Sequence, residues 1–235
     1  MSEQAYSLSF FDPDRELYGI ARSGTTILFE GRTPAAHSGG PEVERDGEGW
    51  RAELPERMSL AVEPVSAEVD LGGVRAQVCR VRGEVEGRSV DCLGTFSVTD
   101  VAPSWEELDA VRSLSALVDE GHAMLAVARR PRGAQGHGDE LVRACLLTDG
   151  EPHQVEEARI STVYDGDGRQ RSAGLELWLP GEEFPRRGSG LVIAGSSLEL
   201  EQVNAHEAVF RWRLDGREGI GAYELMVRTE PPAAA

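Results

Sequence analysis

The residues best suited to chemistry in this chain are acidic. Asp100, Glu106 and Glu107 flank Trp105 in the run Thr99-Asp100-Val101-Ala102-Pro103-Ser104-Trp105-Glu106-Glu107. A carboxyl held beside an indole in an apolar cleft loses the hydration of its charged form. Its pKa rises, and it can then act as a general acid on an alkene. Asp100 and Glu106 are therefore candidate catalytic groups. The competing reading is structural. Ser104-Trp105-Glu106-Glu107 fits a capping box, in which Ser104 accepts from a backbone N–H and Glu107 reaches back. Acidic side chains in a first helical turn are also favoured by the helix dipole.

Glu224 is the third candidate catalytic group. It lies between Tyr223 and Leu225, so in a strand it takes the opposite face from both. If that face points inward, the carboxylate is buried and needs a partner. Arg211 and Arg213, on the preceding apolar run, are the expected cross-strand partners. Trp105, Trp178, Trp212 and Tyr223 are the aromatic candidates for walling an apolar ligand, with ordinary core packing as the alternative.

Other chemistries find little support. His37, His122, His137, His153 and His206 are scattered and form no H-E-x-x-H or i,i+2 cluster, so no metal site is expected. Cys79, Cys92 and Cys145 share no C-x-x-C spacing and read as reduced, half-buried thiols. Gly19 to Gly24 and Gly216 to Gly221 precede strand-like runs rather than a helix whose N-terminus would hold a phosphate. No P-loop or G-x-S-x-G elbow is present, and no cofactor is expected. The formal charge is −17, from 24 basic and 41 acidic residues. Such a chain repels phosphate backbones and anionic membrane surfaces. Arg129-Arg130-Pro131-Arg132 and Arg186-Arg187 are the densest basic clusters, and both read as solvated turns. No apolar run approaches the roughly 18 residues that cross a bilayer, and Met1 to Phe10 lack the pattern of a signal peptide. The expectation is a cytoplasmic protein with no membrane span and no nucleic-acid partner.

The elements that must position these groups are strands. Between Gly121 and Pro180, Ala158, Ile160, Thr162 and Tyr164 share one face of a run. The run ends at Asp165-Gly166-Asp167-Gly168, and Leu175, Leu177 and Leu179 share a face on the return. Period-2 alternation broken by Asp-Gly pairs signals antiparallel hairpins. Tyr6, Leu8 and Phe10 alternate likewise, as do Val65 to Leu71 into Gly72-Gly73, Ala208 to Leu214 into Asp215-Gly216, and Tyr223 to Val227. Residues 32–49 read as a loop or a poorly ordered segment, because Gly, Pro and charge dominate there. A helix or helical turn is expected at 104–110, with helix and strand equally open beyond Ala110. The tail 231–235 reads as disordered. About fifteen short strands and almost no helix predict an all-β protein of sandwich or barrel type. We place its halves at 1–103 and 104–230.

Three segments carry a family resemblance: the opening Phe10-Phe11-Asp12-Pro13-Asp14-Arg15-Glu16-Leu17-Tyr18-Gly19-Ile20-Ala21-Arg22, the Tyr164-Asp165-Gly166-Asp167-Gly168 turn, and the ending Arg213-Leu214-Asp215-Gly216-Arg217-Glu218-Gly219-Ile220-Gly221-Ala222-Tyr223-Glu224. They resemble the lipocalin-like proteins related to carotenoid 1,2-hydratase (hydroxyneurosporene synthase). The resemblance implies two packed antiparallel lipocalin-like halves and activity on isoprenoid- or polyketide-like substrates by hydration or cyclisation. It also implies an Asp-His-Ser-Trp-Gly stretch between the halves. Here Ser104 and Trp105 stand in that region, and the His and Gly are missing.

Three functions follow as expectations. The first is binding of an apolar small molecule in or between the halves. The second is a hydratase or cyclase using Asp100, Glu106 or Glu224 as proton donor. The third is a non-catalytic interaction protein, with pairing of edge strands into a homodimer as its expected form.

Overall fold

The computed structural model describes residues 5–100, 102–135 and 137–229, without the side chain of His137. The tail assigned to 231–235 and Val101 of the acidic cluster lie outside the described residues. Alternation of apolar and polar positions, punctuated by tight turns, folds nearly all of the rest into strands. The N-terminal sheet is built from β1 (Ala5–Asp12), β2 (Leu17–Arg22), β3 (Thr25–Glu30), β4 (Thr33–Ser38), β5 (Glu42–Asp46), β6 (Gly49–Leu54), β7 (Met58–Pro64), β8 (Val69–Asp70), β9 (Val74–Val85) and β10 (Arg88–Thr99). The C-terminal sheet is built from β11 (Leu108–Asp119), β12 (His122–Pro131), β13 (Leu141–Thr148), β14 (Glu151–Gln154), β15 (Glu157–Tyr164), β16 (Gln170–Trp178), β17 (Arg186–Glu199), β18 (Val203–Leu214) and β19 (Arg217–Arg228). A single 3-10 turn, His137–Asp139, is the only helical element among the described residues.

The two sheets repeat one topology. The first runs β4-β3-β2-β1-β10-β9-β7-β6-β5, with β8 on the side of β9, and the second runs β14-β13-β12-β11-β19-β18-β17-β16-β15. In each, the first strand pairs with the last, and all pairing is antiparallel. Each sheet curls around its own core, giving two half-barrels. Leu8, Phe10, Leu60, Val81 and Phe96 fill the first, and Leu114, Leu175, Phe210, Trp212 and Tyr223 fill the second. A third core lies between the sheets, where Phe11, Ile20, Ile27 and Leu71 meet Val111, Leu125, Val127, Val209 and Ala222. The strands at the centre are therefore buried on both faces. On β19, Tyr223 and Leu225 point into their own half-barrel while Ala222 points at the other.

Both half-barrels use one packing device. Phe10 stands opposite Gly19 on the neighbouring strand, and Trp212 stands opposite Gly190. A Cβ added at Gly19 would lie 2.1 Å from Phe10 Cε1, and one at Gly190 would lie 2.6 Å from Trp212 Cε3. The ring thus covers the glycine backbone, and no larger residue fits beneath it. Gly190→Ala is expected to cost about 1–3 kcal/mol through overpacking, measurable as a lower urea midpoint with an unchanged slope.

One local expectation is corrected and another is narrowed. Residues 32–49 contain β4 and β5, the two edge strands of the N-terminal sheet, rather than a loop. β4 is almost wholly exposed and carries Pro34, Ala35 and Ala36 in succession, and β5 sets the single apolar Val43 among charged residues, so alternation could not reveal them. The helical segment expected at 104–110 is a single turn, in which the Glu107 and Leu108 N–H groups donate to the Ser104 carbonyl. Strand β11 starts at Leu108, because pairing with β12 and β19 outweighs the capping signal.

Candidate functional site

Between the sheets the third core leaves a cavity of about 340 Å3. Its lining mixes apolar side chains, Leu71, Val74, Val111, Leu125, Val127 and Met226, with hydroxyls from Ser7, Thr95, Ser97, Thr99, Ser113 and Ser115. Alternation explains part of this mixture: Thr95, Ser97 and Thr99 share one face of β10, and Val111, Ser113 and Ser115 share one face of β11.

The charged part of the wall is Arg22, Glu224 and Arg129, whereas the Tyr6 hydroxyl is turned to the Pro41 carbonyl. Arg22 ends β2 in the N-terminal sheet, while Glu224 belongs to β19 in the C-terminal sheet. Glu224 stands directly opposite Glu207 of β18 in the strand register. Two like charges so placed repel. Arg22 resolves the conflict from the other half: its Nη2 is 2.7 Å from Glu207 Oε1 and also donates to Glu224 Oε2. Its Nη1 points at Met226 Sδ, 2.9 Å away. Among the described residues, none makes a hydrogen bond to the buried Glu207 Oε2 or Arg22 Nε.

Glu207 is 3% exposed, and burial pushes its carboxyl up to about 8. Arg22 pulls that value down, and Glu224 pushes it further up. Burial works against the charge of Arg22, but the two carboxylates outweigh it and its pKa goes up. Behind Arg22, Glu207 lines a smaller pocket with Ile20, Ile27 and Leu198.

A second buried charge cluster lies inside the C-terminal half-barrel. Arg112 is 2% exposed and pairs with Glu140, which also receives Arg130 Nη2 at 2.6 Å. Arg112 Nη1 donates to Tyr223 Oη at 3.1 Å, to Thr162 Oγ1 at 3.3 Å and to the Ile160 carbonyl at 3.4 Å. The cluster bridges β11 to β15, the far edge of the same sheet, so side chains link strands that the ladder does not join.

Of the residues singled out from sequence, Glu224 alone lines the cavity. Asp100 lies at the end of β10 and is held by Arg75, at 3.0 Å from Nη2 and 3.2 Å from Nε. Glu106 is exposed, and Trp105 is half-buried against the inter-sheet core. Trp178 is half-buried, with the Arg159 guanidinium 4.8 Å from its ring. Trp212 and Tyr223 are packed inside the C-terminal half-barrel. The partner expected for Glu224 is corrected. Arg211 and Arg213 are exposed, and the cation that reaches Glu224 is Arg22. Sequence reasoning missed both Arg22 and Glu207. The available signal for Glu207 was a carboxylate interrupting the apolar run from Ala205 to Phe210.

The three cysteines are buried free thiols, and burial pushes Cys79 and Cys92 up to about 12 and Cys145 up to about 11. Among the described residues no group of three His, Cys, Asp or Glu side chains is placed to hold a metal ion. Nor, among them, is any helix long and apolar enough to cross a membrane.

The fold is lipocalin-like and all-β, with two antiparallel half-barrels packed face to face. No protein family matches the sequence, and no curated protein does either. Solved structures do match in shape. An AttH-assigned protein of Nitrosomonas europaea aligns over 95% of this chain and 92% of its own, with TM-score 0.64 and 11% identity. Kievitone hydratase from Nectria haematococca aligns over 96% of this chain and 88% of its own, with TM-score 0.61 and 9% identity. At such identities the likeness is one of fold.

Proposed function

We propose that the protein binds an apolar small molecule, isoprenoid-, lipid- or polyketide-like, in the cavity between its half-barrels. The observation that carries this reading is the cavity itself, whose lining combines apolar side chains with a set of hydroxyls. A pocket of a few hundred Å3 with a few convergent polar groups is what a small-molecule site requires. The hydroxyls are suited to a largely apolar ligand that carries oxygen substituents.

A second reading is favoured by one feature, the placement of Glu224 on that wall beside Arg22. A carboxyl there, partly shielded from water, is suited to protonate an alkene or polarise an oxygen, as a hydratase- or cyclase-type enzyme requires. The sequence resemblance to carotenoid 1,2-hydratase relatives and the shape likeness to kievitone hydratase are consistent with this class. The altered stretch around Ser104 and Trp105 means that any such chemistry would rest on Glu224 rather than on the missing His.

Native mass spectrometry after incubation with a lipid extract tests the first reading. The wild type is expected to retain a small molecule, and Val127→Trp, which fills the cavity, to lose about tenfold or more of that retention. Equal retention by both proteins would overturn the assignment of the cavity. With a ligand in hand, turnover lost in Glu224→Gln but kept in the exposed Glu63→Gln variant would support catalysis. Retention without turnover in the wild type would leave a binding protein.

A further inference from the structure

The charge balance at the cavity wall points beyond ligand binding. Two carboxylates face each other across the β18–β19 ladder, and one guanidinium serves both through a single nitrogen, Nη2. One positive charge neutralises one carboxylate. The remaining negative charge would sit on a side chain with one oxygen that no donor among the described residues reaches, Glu207 Oε2. Leaving a carboxylate in that state is costly, and taking up a proton removes the cost.

The other groups around the pair do not alter this balance. Arg22 comes from β2, and Tyr6 of β1 and Arg129 of β12 lie further along the cavity lining. Ser113 of β11 stands opposite Glu224 in register, and Ser196 of β17 stands opposite Glu207. The charges that act on Glu207 are those of Arg22 and Glu224.

We propose that Glu207 and Glu224 form a one-proton carboxyl pair clamped by Arg22, with Glu207 holding the proton in the empty site and Glu224 presenting it to the cavity. When the proton passes from the Glu207 carboxyl to the Glu224 carboxylate, Glu207 becomes the ionised partner of Arg22, and the net charge of the three groups stays at zero. Glu207 is thus a positioning residue, set behind the wall, and Glu224 is the member that a bound molecule meets. A site neutral in either form suits a ligand whose contacting oxygen is an uncharged acceptor, such as a ketone, ether or hydroxyl, rather than a carboxylate. This inference rests on the cavity being the ligand site only in its last step. The shared proton belongs to the empty protein.

Infrared difference spectroscopy of the ligand-free protein, titrated from pH 5 to pH 10 in H2O and D2O, tests the pair directly. The wild type is expected to show the C=O band of one buried protonated carboxyl at neutral pH, lost with a midpoint near 8. Glu207→Gln should abolish the band. Glu224→Gln should leave a band whose midpoint falls by about one pH unit or more, since Glu207 then has Arg22 to itself. No buried protonated carboxyl at neutral pH would overturn the proposal. So would a midpoint unchanged in Glu224→Gln, which would show a carboxyl kept neutral by burial alone. Should one variant fail to fold, the wild-type titration and the other variant still decide the matter. Failure of ligand retention with the band behaving as stated would remove the proposed function and leave the proton pair standing.

Discussion

Arg22→Met is expected to destabilise the protein by about 3–5 kcal/mol at pH 8, the usual cost of stranding a buried charge by deleting its partner. The effect is large because Arg22 is the cation touching both Glu207 and Glu224, whose side chains are only 4% and 11% exposed. The loss should shrink as the pH falls. Without the guanidinium Glu207 loses the charge that pulls its carboxyl down, burial pushes it up unopposed, and below its raised value it folds as a neutral acid. The wild type should already show part of this slope. Glu207 is raised from 4.5 to about 8 in the folded protein, so the folded state binds more protons than the unfolded chain between those values. Stability contributed by that group is fully present below pH 4.5 and declines as the pH rises through about 8. Urea unfolding of wild type and Arg22→Met at pH 5 and pH 8 measures both effects. A loss independent of pH would mean that Arg22 acts through the packing of its stem and not through its charge.

The same triad shows where sequence reasoning reached and where it stopped. The hairpin at Asp215-Gly216 was legible because its chemistry is local, and the turn at Asp149-Gly150 is built the same way. Asp149 and Asp215 take φ of 52° and 48°, and the following glycines take 83° and 82°. Those left-handed values favour Asp-Gly and mark a tight turn. Strand β16 was legible because Leu175 and Leu177 face the core and their neighbours do not. Strands β4 and β5 were invisible because each, at an edge, buries little more than one side chain, His37 in β4 and Val43 in β5, so their pattern is that of a loop. Pro34 fits β4, since an edge strand tolerates a missing N–H. Glu224 could be singled out as a carboxylate between two apolar neighbours. Its partner could not, because Arg22 stands 202 positions earlier, in the other sheet. Periodicity fixes the face on which a side chain lies, but not which distant strand packs against it. The acidic residues around Trp105 are close together in sequence, yet in the structure they are spread over solvent and the margin of the inter-sheet core.

Arg112→Met is expected to cost a similar 3–5 kcal/mol, yet to be largely reversible by a second substitution. Arg112 is buried inside the C-terminal half-barrel, and its removal takes a buried cation from the Glu140 side chain, which is 2% exposed. It also takes a donor from Tyr223 Oη and from the Ile160 carbonyl at the edge strand. Thr162 retains its 2.6 Å hydrogen bond to Tyr223, so the hydroxyl pair keeps a partner. In the double variant Arg112→Met/Glu140→Leu, no carboxylate is left behind. Arg130, 31% exposed, can turn its head to water while its stem stays packed. Apolar groups of similar volume then fill the space, and such replacements of buried ion pairs are often neutral or stabilising. A double-mutant cycle by urea unfolding should therefore give a coupling energy of about 2 kcal/mol or more between the two positions. Additive losses would mean that Arg112 matters chiefly as the brace that ties β11 to the Ile160 carbonyl across the open side of the half-barrel. Ligand retention in the inter-sheet cavity should be unchanged in the double variant, because the cavity is lined by the opposite faces of β11 and β19.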